Sequence, residues 1–242
     1  MGQVILLADH LERRRQRRAG APGRLERNGS RVAGAPGRPE RNRPRVAADS
    51  FGEPASAGVH ASFFLDLGCP FSYFAAERVE RWLGGARWLA LDARALGGEE
   101  VERNARWRSA AEARAVELRL PLSWPPLPLD TRAARRVAAL AAGLGAGPRF
   151  ALAAARLAFC GGFDLARPGA LADAGAAAGI ARPLALAAAR DPALDEAALA
   201  GAALLRAAGV RRLPALCLEG RWLCGERELA AAIPWRPALS AS

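Results

Sequence analysis

The sequence predicts an α/β fold, on three observations. Residues 61–93 carry a strand–helix–strand pattern, residues 99–208 form a run of Ala- and Leu-rich helical segments, and residues 213–233 read as a hairpin followed by a short helix. The chain has 242 residues, 51% of them hydrophobic, enough to bury a sizeable core in one large domain or in one domain with an extension. No apolar run approaches the roughly 18 residues a membrane-spanning helix needs, so no membrane association of that kind is expected.

Residues 1–60 differ in character from the rest. All 35 basic residues are Arg, against 24 acids. The first 50 residues hold 12 of the Arg and five acids (net +7), and the remaining 192 hold 23 Arg and 19 acids (net +4). Ala19–Val32 (AGAPGRLERNGSRV) is repeated imperfectly as Ala33–Val46 (AGAPGRPERNRPRV). Such Pro-, Gly- and Arg-rich sequence has too few large apolar side chains to offset its ordering entropy, so a disordered basic extension is expected over 1–60. The run Val4–Ala8 is too short for a secretory signal, and its charges at Arg13–Arg18 follow it rather than precede it. An Arg-rich arm on nucleic acid or acidic lipid is the weaker reading, because no aromatics are interleaved. A solvated tail, or sequence translated from upstream of the true start, is the stronger one.

The first strand is expected at Ala61–Leu67 (ASFFLDL), closed by Gly68. Phe74, Val79 and Leu83 then recur at helical spacing, with Pro70 at the first helical position and Cys69 as the cap or just before it. Gly84-Gly85 stops this helix, and Arg87–Ala93 is the second strand. A strand–helix–strand unit of this kind favours a parallel pair. Helices follow at about Glu99–Arg119, Thr131–Ala142, Pro148–Phe159, Leu171–Ala178 and Asp195–Ala208. Breaks fall at Pro121–Pro128, Gly143–Gly147, Gly161-Gly162 and Arg182-Pro183. Gly143–Gly147 lies between helices rather than after a strand, so it reads as a connector and not as a phosphate loop. Ala215–Leu218 and Arg221–Leu223 flank a Glu219-Gly220 turn, a hairpin signal, and Glu226–Ile233 is a closing helix stopped by Pro234. This is the element order of a thioredoxin-like fold with an all-helical insertion. The expected division is 61–97 with 209–236 for the thioredoxin-like domain and 98–208 for the insertion.

The cysteines are Cys69, Cys160, Cys217 and Cys224, and no pair has the two-residue spacing of a zinc knuckle or a dithiol site. Both histidines, His10 and His60, precede the body, so chemistry without imidazole and without metal is expected. Cys69 stands where a strand gives way to a helix. Unpaired N–H groups and the helix dipole favour thiolate there, which would lower its pKa below the usual value of about 8.5 and make it a nucleophile for thiol–disulfide exchange. The competing role is that of a buried structural cysteine. Ser72 sits where a dithiol enzyme carries its resolving Cys; it can donate a hydrogen bond to a sulfur anion at Cys69 or simply face the second helical turn. Tyr73 can line the pocket or pack in the core. Leu213-Pro214 precedes a strand, and a cis bond there would free the Leu213 backbone to pair with an extended thiol peptide such as glutathione, whereas a trans bond is the commoner state. Cys217 falls opposite Trp222 and Cys224 opposite Ala215. The two cysteines are then diagonal neighbours about 7–8 Å apart, outside disulfide reach, and Cys160 has no evident partner.

Phe63–Glu80 (FFLDLGCPFSYFAAERVE) together with Gly209–Ala232 (GVRRLPALCLEGRWLCGERELAAA) resembles the DsbA-like thioredoxin superfamily, near the branch of 2-hydroxychromene-2-carboxylate isomerases and kappa-class glutathione transferases. The resemblance covers about residues 61–236. It implies a cis Pro214 facing Cys69, glutathione bound across Leu213, and Asp66 shaping the entrance. The candidate binding set also includes Pro70, Phe71, Tyr73, Gly225 and Glu226. The chain is a hybrid: the isomerase branch usually carries Ser at the position of Cys69, and DsbA-type enzymes carry a second Cys at Ser72. Where the glutathione-binding branch has Asp-Arg after the matching Gly, this chain has Glu226-Arg227-Glu228. The expected function is a cytoplasmic thiol oxidoreductase acting through Cys69 with glutathione, on a small-molecule or protein disulfide. The alternatives are a glutathione-dependent isomerase or transferase and a non-catalytic thioredoxin-fold binding module. The apolar helical insert leaves room for a homodimer.

Overall fold

The computed structural model describes residues 61–83, 85–97 and 104–233. The extension expected over 1–60, with its repeat and both histidines, lies outside the described residues. So do residues 98–103, where the helix expected from Glu99 would start, and residues 234–236 of the expected thioredoxin-like domain.

Strands β1 (Ala61–Leu65) and β2 (Arg87–Ala90) are joined by helix α1 (Pro70–Trp82). After a 3-10 turn at Ala93–Leu96 come six helices: α2 (Ala105–Leu118), α3 (Arg132–Gly143), α4 (Gly147–Phe159), α5 (Pro168–Ala177), α6 (Arg182–Arg190) and α7 (Asp195–Ala207). Strands β3 (Ala215–Leu218) and β4 (Arg221–Cys224) and helix α8 (Glu226–Ala232) close the chain. The sheet order is β2-β1-β3-β4. β1 and β2 are parallel with Phe63 opposite Trp88, and β3 runs antiparallel to both β1 and β4. None of the described helices is long and apolar enough to cross a membrane.

The alternation of a pleated strand divides the core. Phe63 and Leu65 point to one face, where they join Tyr73, Phe74 and Val79 of α1, Leu229 of α8 and the helices α3 to α6. Phe64 points to the other face with Leu91 and Ala215, and α7 covers them with Ala202 and Leu205. α7 therefore packs on the sheet itself, although its sequence looks like the rest of the expected 98–208 insertion. The absence of a side chain at Gly201 permits this approach: a Cβ there would collide with Leu89 Cδ2 and stand 3.1 Å from Leu91 Cδ2.

Several boundaries differ from expectation for identifiable reasons. β1 stops at Leu65 rather than Leu67 because Asp66 turns the chain: its carboxylate accepts the Gly68 N–H at 2.8 Å and its carbonyl accepts the Cys69 N–H at 3.1 Å. α5 starts one turn early, with Pro168 in its first turn. Arg182-Pro183, expected as a break, instead opens α6, since a proline in the first turn of a helix gives up no intrahelical hydrogen bond. α2 begins only at Ala105, where Asn104 caps it by accepting the Trp107 N–H at 3.0 Å. The hairpin has the expected register, Cys217 opposite Trp222 and Ala215 opposite Cys224. Glu219 and Gly220 both adopt left-handed φ values, 48° and 79°, as a two-residue turn between twisted strands requires.

Candidate active site

Cys69 is the N-cap of α1, in extended backbone with φ −125° and ψ 119°, and Pro70 follows as the first helical residue. Its carbonyl accepts the N–H groups of Ser72 at 3.0 Å and Tyr73 at 3.2 Å. The residue is half-buried.

Ser72 is fully buried, and its hydroxyl oxygen accepts the Asp66 N–H at 3.0 Å. That bond ties the first turn of α1 back to the end of β1. Asp66 is itself 3% exposed, with its carboxylate on the Gly68 N–H, so the two residues build the turn that carries Cys69. Ser72→Ala would remove the buried hydroxyl that accepts the Asp66 N–H. We expect a loss of about 1–3 kcal/mol, read as a lower urea midpoint at unchanged slope.

The sheet brings the carboxyl-terminal motif to the same end. Phe64 pairs with Ala215, so Pro214, the residue before it, lies beside the end of β1 from which the Cys69 turn departs. The Leu213–Pro214 bond is cis, as is Leu127–Pro128, which the sequence reading did not single out. The Pro214 carbonyl accepts the Gly225 N–H at 2.7 Å, and Gly225, at φ 91°, caps α8. Beside this junction lies a cleft of about 390 Å³ lined by Phe71, Arg212, Cys224, Gly225, Glu226, Arg227 and Glu228. Three residues of the expected binding set, Phe71, Gly225 and Glu226, thus share one surface.

Two expected binding residues have other duties. Tyr73 is 1% exposed; it stacks on Phe159 at 6.1 Å and its hydroxyl shares a hydrogen bond with Cys160 Sγ at 3.0 Å. It therefore packs in the core rather than lining the site, and it is the partner that Cys160 lacked in the sequence reading. Burial, reinforced by the Cys160 contact, drives the Tyr73 hydroxyl pKa far above its usual value. Glu226 reaches the cleft wall, but Arg114 of α2 grips both of its carboxylate oxygens, Nε at 2.8 Å and Nη2 at 2.9 Å. Arg114 is in turn held strongly protonated, chiefly by that contact. Arg114 lies 112 residues from Glu226 in the chain, and nothing in the sequence marks the pair. Trp107 and Trp124 were likewise not foreseen. They extend an aromatic row from Phe71, at centroid distances of 6.3 Å and then 5.4 Å.

None of the four cysteines takes part in a disulfide among the described residues. Burial pushes the thiols of Cys160, Cys217 and Cys224 above the ordinary cysteine range; Tyr73, Gly220 and Arg212 respectively pull back only in part. A raised pKa means less thiolate at any pH below it. Near neutral pH, iodoacetamide is therefore expected to label Cys69 first and these three later, as read by peptide mass mapping. Equal rates would remove the idea of a distinct reactive sulfur.

This architecture, a β-α-β start and a β-β-α end around a block of helices, is a thioredoxin-like fold with a helical insertion. Among solved structures, the chain is similar to a 2-hydroxychromene-2-carboxylate isomerase at TM-score 0.62 and 16% identity, covering 71% of this chain and 91% of that one. It is also similar to a probable DsbA oxidoreductase from Streptomyces coelicolor at TM-score 0.53 and 16% identity, covering 76% and 94%. No protein-family model and no curated protein sequence matches the chain.

Proposed function

We propose that this chain is a thiol–disulfide oxidoreductase that works through the single sulfur of Cys69, with glutathione as the second thiol. The observation that carries the reading is a half-buried cysteine capping a helix that starts with Pro70, at the sheet end where Pro214 and Gly225 meet. In the first step the Cys69 thiolate attacks one sulfur of a disulfide. A mixed disulfide forms on Cys69, the original S–S bond breaks, and the other sulfur leaves as a thiolate that takes a proton from water. Where the mixed disulfide carries glutathione, a second glutathione thiolate attacks the glutathionyl sulfur, releases Cys69 as thiolate and leaves oxidised glutathione. For a glutathionyl substrate the sum is one mixed disulfide and one glutathione giving the freed substrate thiol and oxidised glutathione, and no second protein thiol is needed. Ser72 would hydrogen-bond the Cys69 sulfur through its hydroxyl proton, since its oxygen already accepts from Asp66. The adjoining cleft lies within the range of small-molecule sites. That no disulfide joins the four cysteines supports a reducing, cytoplasmic setting.

A second reading draws support from the likeness to the isomerase. Here Cys69 would assist a bound glutathione thiolate in isomerising or conjugating an organic substrate without forming a covalent bond.

Mass spectrometry after treatment with oxidised glutathione separates the two. One glutathione on Cys69, absent in Cys69→Ser, supports the oxidoreductase. No adduct but tight binding of reduced glutathione supports the isomerase or transferase. Neither result leaves a non-catalytic thioredoxin-fold binding module.

A further inference from the structure

We infer that the cleft lined by Phe71, in the first turn of the helix that Cys69 caps, favours a carboxylate-bearing thiol whose amino group is blocked, for example by acylation, over one that carries a free ammonium. The inference rests on the thiol-binding reading above and concerns the chemistry of the ligand at that site.

The charges of the cleft carry the argument. Glu226 is the carboxylate best placed to meet a ligand ammonium, yet its side chain is 2% exposed and both its oxygens are held by the planar fork of Arg114. A bidentate guanidinium occupies the in-plane acceptor directions of a carboxylate, so Glu226 offers an incoming cation little. The Arg78 guanidinium is near enough to feel the Glu226 charge and adds a second positive group behind it. The other charged groups of the cleft are Arg212, Arg227 and Glu228. Glu228 already accepts the Cys224 N–H at 2.9 Å. Among the described residues, neither Arg212 nor Arg227 forms an ion pair, and both are exposed. Arg114 also holds Glu117, whose charge reaches Arg227; with Arg114 and Arg78 set against Glu226 and Glu117, two guanidinium groups are left facing the ligand against the one carboxylate of Glu228. A cleft of this size is comparable to the screening length of about 8 Å at physiological salt, so the excess charge is felt across it. A ligand carboxylate is attracted, an ammonium is repelled, and capping the amine removes the repulsion.

The test uses ligands that cannot react, so that it stands apart from the chemistry at Cys69. S-Methylglutathione and its N-acetyl derivative are titrated into the full chain by calorimetry. The acetylated ligand is expected to bind about threefold tighter at low salt, the scale of an exposed charge interaction, and the preference should vanish at high salt. Arg212→Gln, a surface change, should weaken both ligands. Tighter binding of the free amine, a preference that ignores salt, or no binding of either ligand overturns the inference. Failure of Cys69 to form an adduct with oxidised glutathione, with this preference intact, would count against the oxidoreductase and leave the ligand chemistry standing.

Discussion

Cys69→Ser is expected to reduce disulfide exchange to the level of buffer without protein. The substitution keeps size, helix start and the Pro70 that follows, so the fold should be retained. What it removes is ionisation: an alcohol stays protonated at any physiological pH, whereas a thiol at a helix start is within reach of neutral pH. The other three sulfurs do not compensate. Cys160 is hydrogen-bonded to Tyr73, and burial holds the thiols of Cys160, Cys217 and Cys224 largely protonated near pH 7. The measurement is reduction of a small disulfide by glutathione, followed with and without protein, beside a thermal melt of the variant. Activity that survives at more than a small fraction of wild type would place the chemistry elsewhere in the chain.

Arg114→Met should have the largest effect on stability. Its guanidinium spans from α2 to the start of α8 and neutralises a carboxylate that has almost no contact with water. Removing one member of such a pair leaves an uncompensated charge, which costs about 3–5 kcal/mol, although the Coulombic help of Arg78 should hold the loss near the lower end. Arg136→Met is the control. Its partner Asp195 is 36% exposed, and solvent can take over the lost contact, so about 1 kcal/mol or less is expected. Urea titration of both variants gives the comparison. Equal midpoints would mean that the Arg114 contact contributes no more than a surface pair.

The parts of this molecule that were legible in its sequence are those fixed by local pattern. Alternation and the Glu219-Gly220 turn give the hairpin with its register, and the helix start at Pro70 follows from that proline together with the helical spacing of Phe74, Val79 and Leu83 after it. α6 was not legible, because a proline that opens a helix looks the same as one that breaks it. Nor was the placement of α7 on the sheet: an Ala- and Leu-rich helix does not reveal which surface it will cover, and the one clue, Gly201, has meaning only once Leu89 is opposite it. At the site, the candidate nucleophile Cys69 and the helix start at Pro70 are adjacent in the chain and could be read directly, whereas the Asp66–Ser72 bond that shapes the turn before them could not. Tyr73 could not be assigned, since an aromatic one residue past Ser72 suits pocket or core equally and the deciding partner, Cys160, lies 87 residues away. Arg114 and Glu226 were invisible for the same reason: ion pairs between distant elements leave no spacing signature.

The bond from the Asp66 N–H to Ser72 Oγ bears on how such a chain could change its chemistry over generations. Sulfur accepts hydrogen bonds poorly, so a codon change to cysteine at position 72 would create a dithiol while loosening the very bend that presents its partner. Any lineage crossing between one-sulfur and two-sulfur chemistry on this scaffold would need a second, compensating change nearby to hold that amide.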